Sequence, residues 1–73
     1  MVSSMDLNFA RQSLIEELDA INKYQGRIDT THDEELKKVL THNMNEEKEH
    51  VAMLVEYLRK SDEVQNKVFE EHD

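Results

Sequence analysis

Seventy-three residues with no Cys, no Pro, a single Gly and 36% charged side chains exclude a disulfide scaffold, a thiolate metal site and a loop-rich sheet fold. A formal charge of −8 disfavours nucleic acid and anionic membrane as partners and concentrates cations around the chain instead. So short a chain buries little apolar surface alone, which makes oligomerisation or a bound metal the expected support. The expectation is one all-α domain over residues 1–73. No apolar run is long enough to span a bilayer and no basic-then-apolar leader is present, so the chain reads as cytoplasmic.

The first helix is expected to start after Ser3, with Asp6 three positions on in the manner of a capping box. Leu7, Ala10, Leu14, Glu17, Ile21, Tyr24 and Ile28 then recur at alternating three- and four-residue steps, a heptad seam with one anion in its middle. Gly26 offers a C-cap, while Ile28 keeps the period, so the helix ends within a turn of these two. Residues 29–33 are polar and turn-like, and Thr31 with Glu34 gives a second capping-box signature.

The second helix is expected from Asp33 to Lys60, with a seam of Leu36, Leu40, Asn43, Glu47, His50, Leu54 and Tyr57. The short connection makes the two helices an antiparallel hairpin in which Glu17 and Glu47 meet near mid-helix. Ser61 is expected to cap a short third helix carrying Val64, Val68 and Phe69, packed on the hairpin or on a neighbour.

Glu47 and His50 carry the chemistry. A carboxylate and an imidazole at i and i+3 share a helix face, and Glu17 supplies a second carboxylate at the same level. A Glu-x-x-His pair arises readily by chance in a chain this rich in Glu. Seam position is the stronger argument, because carboxylates left unpaired in a core cost several kcal/mol or take up a proton. The competing reading is a satisfied polar layer that fixes register. Carboxylate-bridged di-iron bundles draw a Glu from each of two helices and Glu-x-x-His from each of two more. This chain supplies half of that set, which calls for a second copy and a four-helix bundle built by dimerisation. Hard oxygens with one imidazole per chain suit iron or manganese better than structural zinc.

Other polar residues are weaker candidates. Tyr24 and Tyr57 lie near the trio along their seams, where Tyr24 can hydrogen-bond a ligand carboxylate or be plain core. Glu16 and Asp19 flank Glu17 as an acidic mouth for cations or as a solvated flank. His42 and Glu46, with Glu49 nearby, form a candidate outer cation site for calcium or manganese. His32 and His72 read as solvated.

The stretch Ile15-Glu16-Glu17-Leu18-Asp19-Ala20-Ile21 with Tyr24 and Arg27, then His42-Asn43 and Glu46-Glu47-Lys48-Glu49-His50, followed by Ala52-Met53 and Glu56-Tyr57-Leu58-Arg59, resembles the encapsulated ferritins. The likeness covers roughly residues 10–62 and is anchored by the spacing of Glu17, Glu47 and His50. The resemblance implies a two-helix subunit that pairs into a ferritin-like four-helix bundle, with a di-iron ferroxidase centre on the two-fold, dimers arranged in a ring of ten, and residence inside an encapsulin shell. It implies Glu17, Glu47 and His50 as iron ligands and Tyr24 beside the centre. Glu16 with Asp19 corresponds to an entry site, and His42, Glu46 and Glu49 to an outer metal site. The expected reaction is oxidation of Fe(II) to Fe(III) by dioxygen, with Glu17 and its symmetry mate bridging two ions.

Two features depart from that pattern: Lys23 stands where an aromatic is expected, and Glu70-Glu71-His72-Asp73 is not an apolar docking peptide. The alternative of another class is a non-catalytic helical dimerisation module, indifferent to Fe(II) and tolerant of Glu47→Gln. A rubrerythrin-like peroxidase fragment is disfavoured because thiolate-bound iron needs Cys.

Overall fold

The computed structural model describes residues 2–73. These form three helices, α1 (Ser4–Thr30), α2 (Glu34–Ser61) and α3 (Glu63–His72), with no strand among the described residues. The Ser3 Oγ accepts from the Asp6 backbone N–H at 3.0 Å, so α1 begins where the cap predicts. The helix continues through Gly26 to Thr30, whose hydroxyl donates back to the Gly26 carbonyl at 2.9 Å. Gly26 is therefore an interior helical residue, and not a C-cap.

Two other caps differ from expectation by a residue or two. Asp33, not Thr31, caps α2: its Oδ1 accepts from Glu35 N–H at 3.0 Å and Leu36 N–H at 3.2 Å, while Thr31 Oγ1 accepts from Asp33 N–H at 3.2 Å. Asp62, not Ser61, caps α3, accepting from the Val64 and Gln65 N–H groups at 3.1 Å each. In both places a carboxylate sits one or two positions beyond the hydroxyl. It brings negative charge to the positive end of the helix, which a hydroxyl does not. Asp62 also donates its N–H to the Leu58 carbonyl, so a single residue ends α2 and starts α3.

The hairpin of α1 and α2 is closed by Ala10, Leu40, Met44 and Leu58, the buried apolar residues. All seven predicted seam positions of α1 are buried or half-buried. On α2 the inward stripe is 37, 40, 44, 47, 51, 54 and 58, each buried or half-buried. The expected α2 seam shares Leu40, Glu47 and Leu54 with it, but Leu36, His50 and Tyr57 are exposed and Asn43 only half-buried. Those four lie on a second, outward stripe of 36, 39, 43, 46, 50, 53 and 57. The expected seam straddled two adjacent heptad stripes, because both keep the three-and-four alternation and both carry apolar residues.

α3 is held by a polar clasp and by half-buried Phe69, which lines a small cleft with Leu14, Val55 and Leu58. The Arg59 guanidinium donates through Nε to Asn66 Oδ1 at 3.1 Å and through Nη2 to Asp73 Oδ2 at 2.9 Å, and lies 5.2 Å from the Phe69 ring centre. Val64 and Val68 remain exposed.

A Cβ added at Gly26 would meet nothing within 4 Å. Gly26→Ala is therefore expected to raise unfolding stability by about 0.5–1 kcal/mol through helix propensity alone, read as a higher urea midpoint with unchanged slope.

Candidate metal centre

Each helix delivers its part of the site by periodicity. Glu17 sits on the α1 seam between Leu14 and Ile21, and Glu47 sits on the inward stripe of α2 between Met44 and Val51. His50 stands three residues past Glu47, on the outward stripe. The His50 Nδ1 lies 3.5 Å from Glu17 Oε2 and 3.4 Å from Glu47 Oε2. One donor atom from each of the three falls within 4.8 Å of the others, the sole such group of three or more among the described residues.

Burial grades across the trio. The Glu17 and Glu47 side chains are 25% and 23% exposed, whereas the His50 side chain is 46% exposed, so the site opens on its imidazole side. Glu17 Oε2 is buried and has no hydrogen-bond partner. The nearby His50 Nδ1 is beyond the usual N–H···O range of about 2.7–3.2 Å. Among the described residues no Lys or Arg pairs with Glu17 or Glu47. The lysines and arginines that form ion pairs are engaged elsewhere, Arg11 with Asp62, Lys23 with Asp19, Lys37 with Glu34, Arg59 with Asp73 and Lys60 with Glu56. Two carboxylates and one imidazole thus converge, with one carboxylate oxygen unsatisfied. A buried acceptor left in this state costs about 1–3 kcal/mol, more when ionised, and a cation lodged among the three removes that cost. Hard carboxylate oxygens with an imidazole nitrogen suit Fe(II) or Mn(II).

The remaining candidates lie apart from this cluster. Tyr24 is half-buried, seven residues or two turns beyond Glu17, and among the described residues no hydrogen bond joins it to the trio. Its ring faces the Arg27 guanidinium, 5.9 Å from the ring centre. Glu16 accepts from Gln12 Nε2 at 3.3 Å, and Asp19 pairs with Lys23 Nζ at 2.9 Å. The expected acidic mouth is therefore half neutralised, by Lys23. His42 Nε2 and Glu46 Oε1 meet at 2.6 Å, both well exposed, whereas Glu49 does not join them in a three-donor group.

Sequence reasoning missed the apolar half of the outward stripe. Leu36, Val39, Met53 and Tyr57 are all exposed along the line that carries His50. The signal was present in the three-and-four spacing of these positions but was merged with the hairpin seam.

The sequence matches the EncFtn-like family over residues 2–72. The chain belongs to the EncFtn-like family. It is 50% identical over 50 residues to the encapsulated ferritin-like protein of Rhodospirillum rubrum, an overlap of 68% of this chain and 36% of that protein. Identity to the ferritin-like protein of Thermotoga maritima is 45% over 62 residues, covering 82% of this chain and 54% of the relative. The encapsulin nanocompartment cargo protein EncC of Myxococcus xanthus is 44% identical over 52 residues, 71% of this chain and 40% of its own length. The chain thus spans between about a third and about a half of these relatives. Protein ne0167 of Nitrosomonas europaea, known from a crystal structure, superposes with a TM-score of 0.87 at 42% identity, covering 96% of this chain and 79% of that one. These matches agree with the encapsulated-ferritin resemblance read from residues 10–62 and extend it over nearly the whole chain.

Replacing Glu17 by Gln removes an anion that has no partner while keeping the shape of the side chain. Glu17→Gln is expected to raise the stability of metal-free protein by about 1 kcal/mol and to weaken Mn(II) binding at least about tenfold. Thermal denaturation in chelator and calorimetric titration with Mn(II) measure the two effects separately. A satisfied polar layer gives the opposite pattern, with stability lost and metal response absent in both proteins.

Proposed function

We propose that this protein oxidises Fe(II) to Fe(III) with dioxygen at a di-iron centre shared by two copies of the chain, and that the product iron is passed to storage inside an encapsulin shell. The observation that carries this reading is the buried, partnerless Glu17 Oε2 facing Glu47 and His50 across the hairpin. Three donors from one chain fill only part of an iron coordination sphere. Two such sets, brought together, equal the four carboxylates and two imidazoles of carboxylate-bridged di-iron bundles.

The fold supports pairing. The molecule measures 48 × 27 × 14 Å, and its thinnest dimension is little more than one helix diameter, about 10–12 Å. A single helical layer covers its seam and leaves both outer faces bare. The stripe with Leu36, Val39, His50, Met53 and Tyr57 is the one that opens onto the trio, so a second copy laid on it covers apolar surface and completes the ligand set in one step.

Each side chain then has a task. Glu17 and Glu47 provide hard anionic oxygens that favour Fe(III) over Fe(II), which lowers the barrier to electron loss. His50 contributes Nδ1, the ring nitrogen that faces both carboxylates. The charge of −8 draws Fe(II) toward the chain, with Glu16, Asp19 and the His42–Glu46 pair as stations on its surface. Tyr24 stands two turns from Glu17 along the α1 seam, and its place beside the centre rests on the encapsulated-ferritin resemblance alone. A molecule one helix layer thick has no interior for a mineral, so oxidised iron must leave it. Relatives named as encapsulated ferritin-like protein and as encapsulin cargo support a shell as the destination, and a ring of ten chains remains the expected higher assembly. No helix among the described residues is long and apolar enough to cross a membrane.

Oxygen uptake on adding air to Fe(II)-loaded, anaerobic protein tests the reading. The parent chain is expected to consume oxygen in proportion to loaded iron. Glu17→Ala and His50→Ala are expected to slow uptake by about a hundredfold or more, since even indirect support of a metal ligand is worth about 10–100-fold. Equal uptake by all three proteins removes the centre from consideration. Because the ligand set is complete only in the pair, Fe(II) or Mn(II) at a hundred times its Kd is expected to stabilise the dimer by about 2.7 kcal/mol over the metal-free chains, seen by sedimentation as a shift toward the larger species. An unchanged size distribution at every protein concentration counts against a shared site.

A further inference from the structure

The outward stripe of α2 contains a reactive atom that the iron chemistry does not use. Met53 lies one turn beyond His50 on that stripe and is 64% exposed, between His50 and the exposed Tyr57. A thioether is readily oxidised by peroxides where solvent reaches it, and the product turns an apolar side chain into a strongly polar one. Met44, nine residues earlier on the same helix but on the inward stripe, is only 7% exposed and so is shielded. Met5, at the start of α1, is 65% exposed and lies off the stripe.

We propose that Met53 is a peroxide-sensitive modification site whose sulfoxide blocks pairing of the chain through its outward stripe. The reaction is a two-electron oxygen transfer. One peroxide oxygen forms an S–O bond with the Met53 sulfur, the O–O bond breaks, the thioether is oxidised to the sulfoxide and hydrogen peroxide is reduced to water. Hydrogen peroxide is also the two-electron reduction product of dioxygen. Two Fe(II) ions losing one electron each to dioxygen, with two protons, balance its formation in paired chains, and peroxide released from them meets the unpaired chains in solution. The effect on assembly rests on the paired-centre reading, because the stripe matters only if a second copy covers it. In the pair Met53 is covered and protected, while in the single chain it is open. Oxidation therefore removes unpaired chains from the pool that can assemble, and methionine sulfoxide reduction returns them.

The test uses the metal-free chain of residues 1–73 at low concentration, treated with hydrogen peroxide, mapped by mass spectrometry and then sized by sedimentation with Mn(II). Met53 is expected to oxidise about tenfold faster than Met44, following exposure. Sulfoxide at Met53 is expected to weaken Mn(II)-dependent pairing about tenfold or more, as an apolar contact becomes a desolvated polar one. Treated Met53→Leu, still oxidised at Met5, is expected to pair normally, and untreated Met53→Gln to pair as poorly as the oxidised parent. Equal oxidation of Met53 and Met44, or undiminished pairing of the sulfoxide form, overturns the proposal. If the untreated parent never pairs with Mn(II), the paired centre itself falls, which is a different result from pairing that survives oxidation.

Discussion

Two helices laid side by side share one seam and bury little else. Every feature of this protein follows from that shortage of cover. Ala10, Leu40, Met44 and Leu58 are the buried apolar residues, while Phe9, Ile15 and Leu18 on α1 and Leu36, Val39, Met53 and Tyr57 on α2 stay in solvent. A lone hairpin of this kind gains too little from burial to offset the entropy of ordering some seventy residues by a wide margin. Another layer of helix or a bound ion would add the stability that burial within one chain does not.

The seam makes this dependence sharper, because charge occupies part of it. Glu17 and Glu47 take positions that an apolar pair would fill at a gain in stability, and no Lys or Arg among the described residues compensates them. The hairpin is thus weakest at the level where its donors converge. A cation bound there does not perturb a finished structure. It supplies the missing interaction at that level, so binding and folding draw on the same free energy.

Much of this was legible in the sequence, and the failures have a common cause. The α1 seam, Leu7 through Ile28, could be read residue by residue because that helix carries one dominant stripe. The Ser3 cap was equally plain, since Asp6 three positions on distinguishes Ser3 from the adjacent Ser4. On α2 two stripes run side by side in the same rhythm, and spacing alone cannot say which faces the partner helix. Reading Leu36 and Tyr57 as seam merged the intramolecular face with the one left bare. Caps at Asp33 and Asp62 were missed for a related reason, in that Thr31 and Ser61 were equally good candidates by residue type and lay only one or two positions away. The convergence of Glu17, Glu47 and His50 did not depend on the points misread. Glu47 belongs to the stripe positions that both readings share, and His50 is tied to it by the i, i+3 step. The Asp19–Lys23 pair and the Arg59 clasp on Asn66, Phe69 and Asp73 needed side-chain positions that no periodicity encodes.

The division of α2 into two stripes also explains why the centre sits where it does. Had His50 occupied an inward position such as Val51, three donors would have closed on one another inside the hairpin, and a single ion could have been sealed from solvent by one chain. Displaced to the outward stripe, the imidazole reaches the carboxylates from the side and leaves the site open toward the face that carries Val39, Met53 and Tyr57. Openness on that side is a liability for a structural metal, which is held best in a closed shell. Under the proposed iron oxidation, in which an ion arrives, loses an electron and leaves, it is a requirement. The same one-residue rotation that exposes His50 exposes the apolar side chains around it, so in the proposed function access to the site and pairing of two chains would be set by a single choice of helix face.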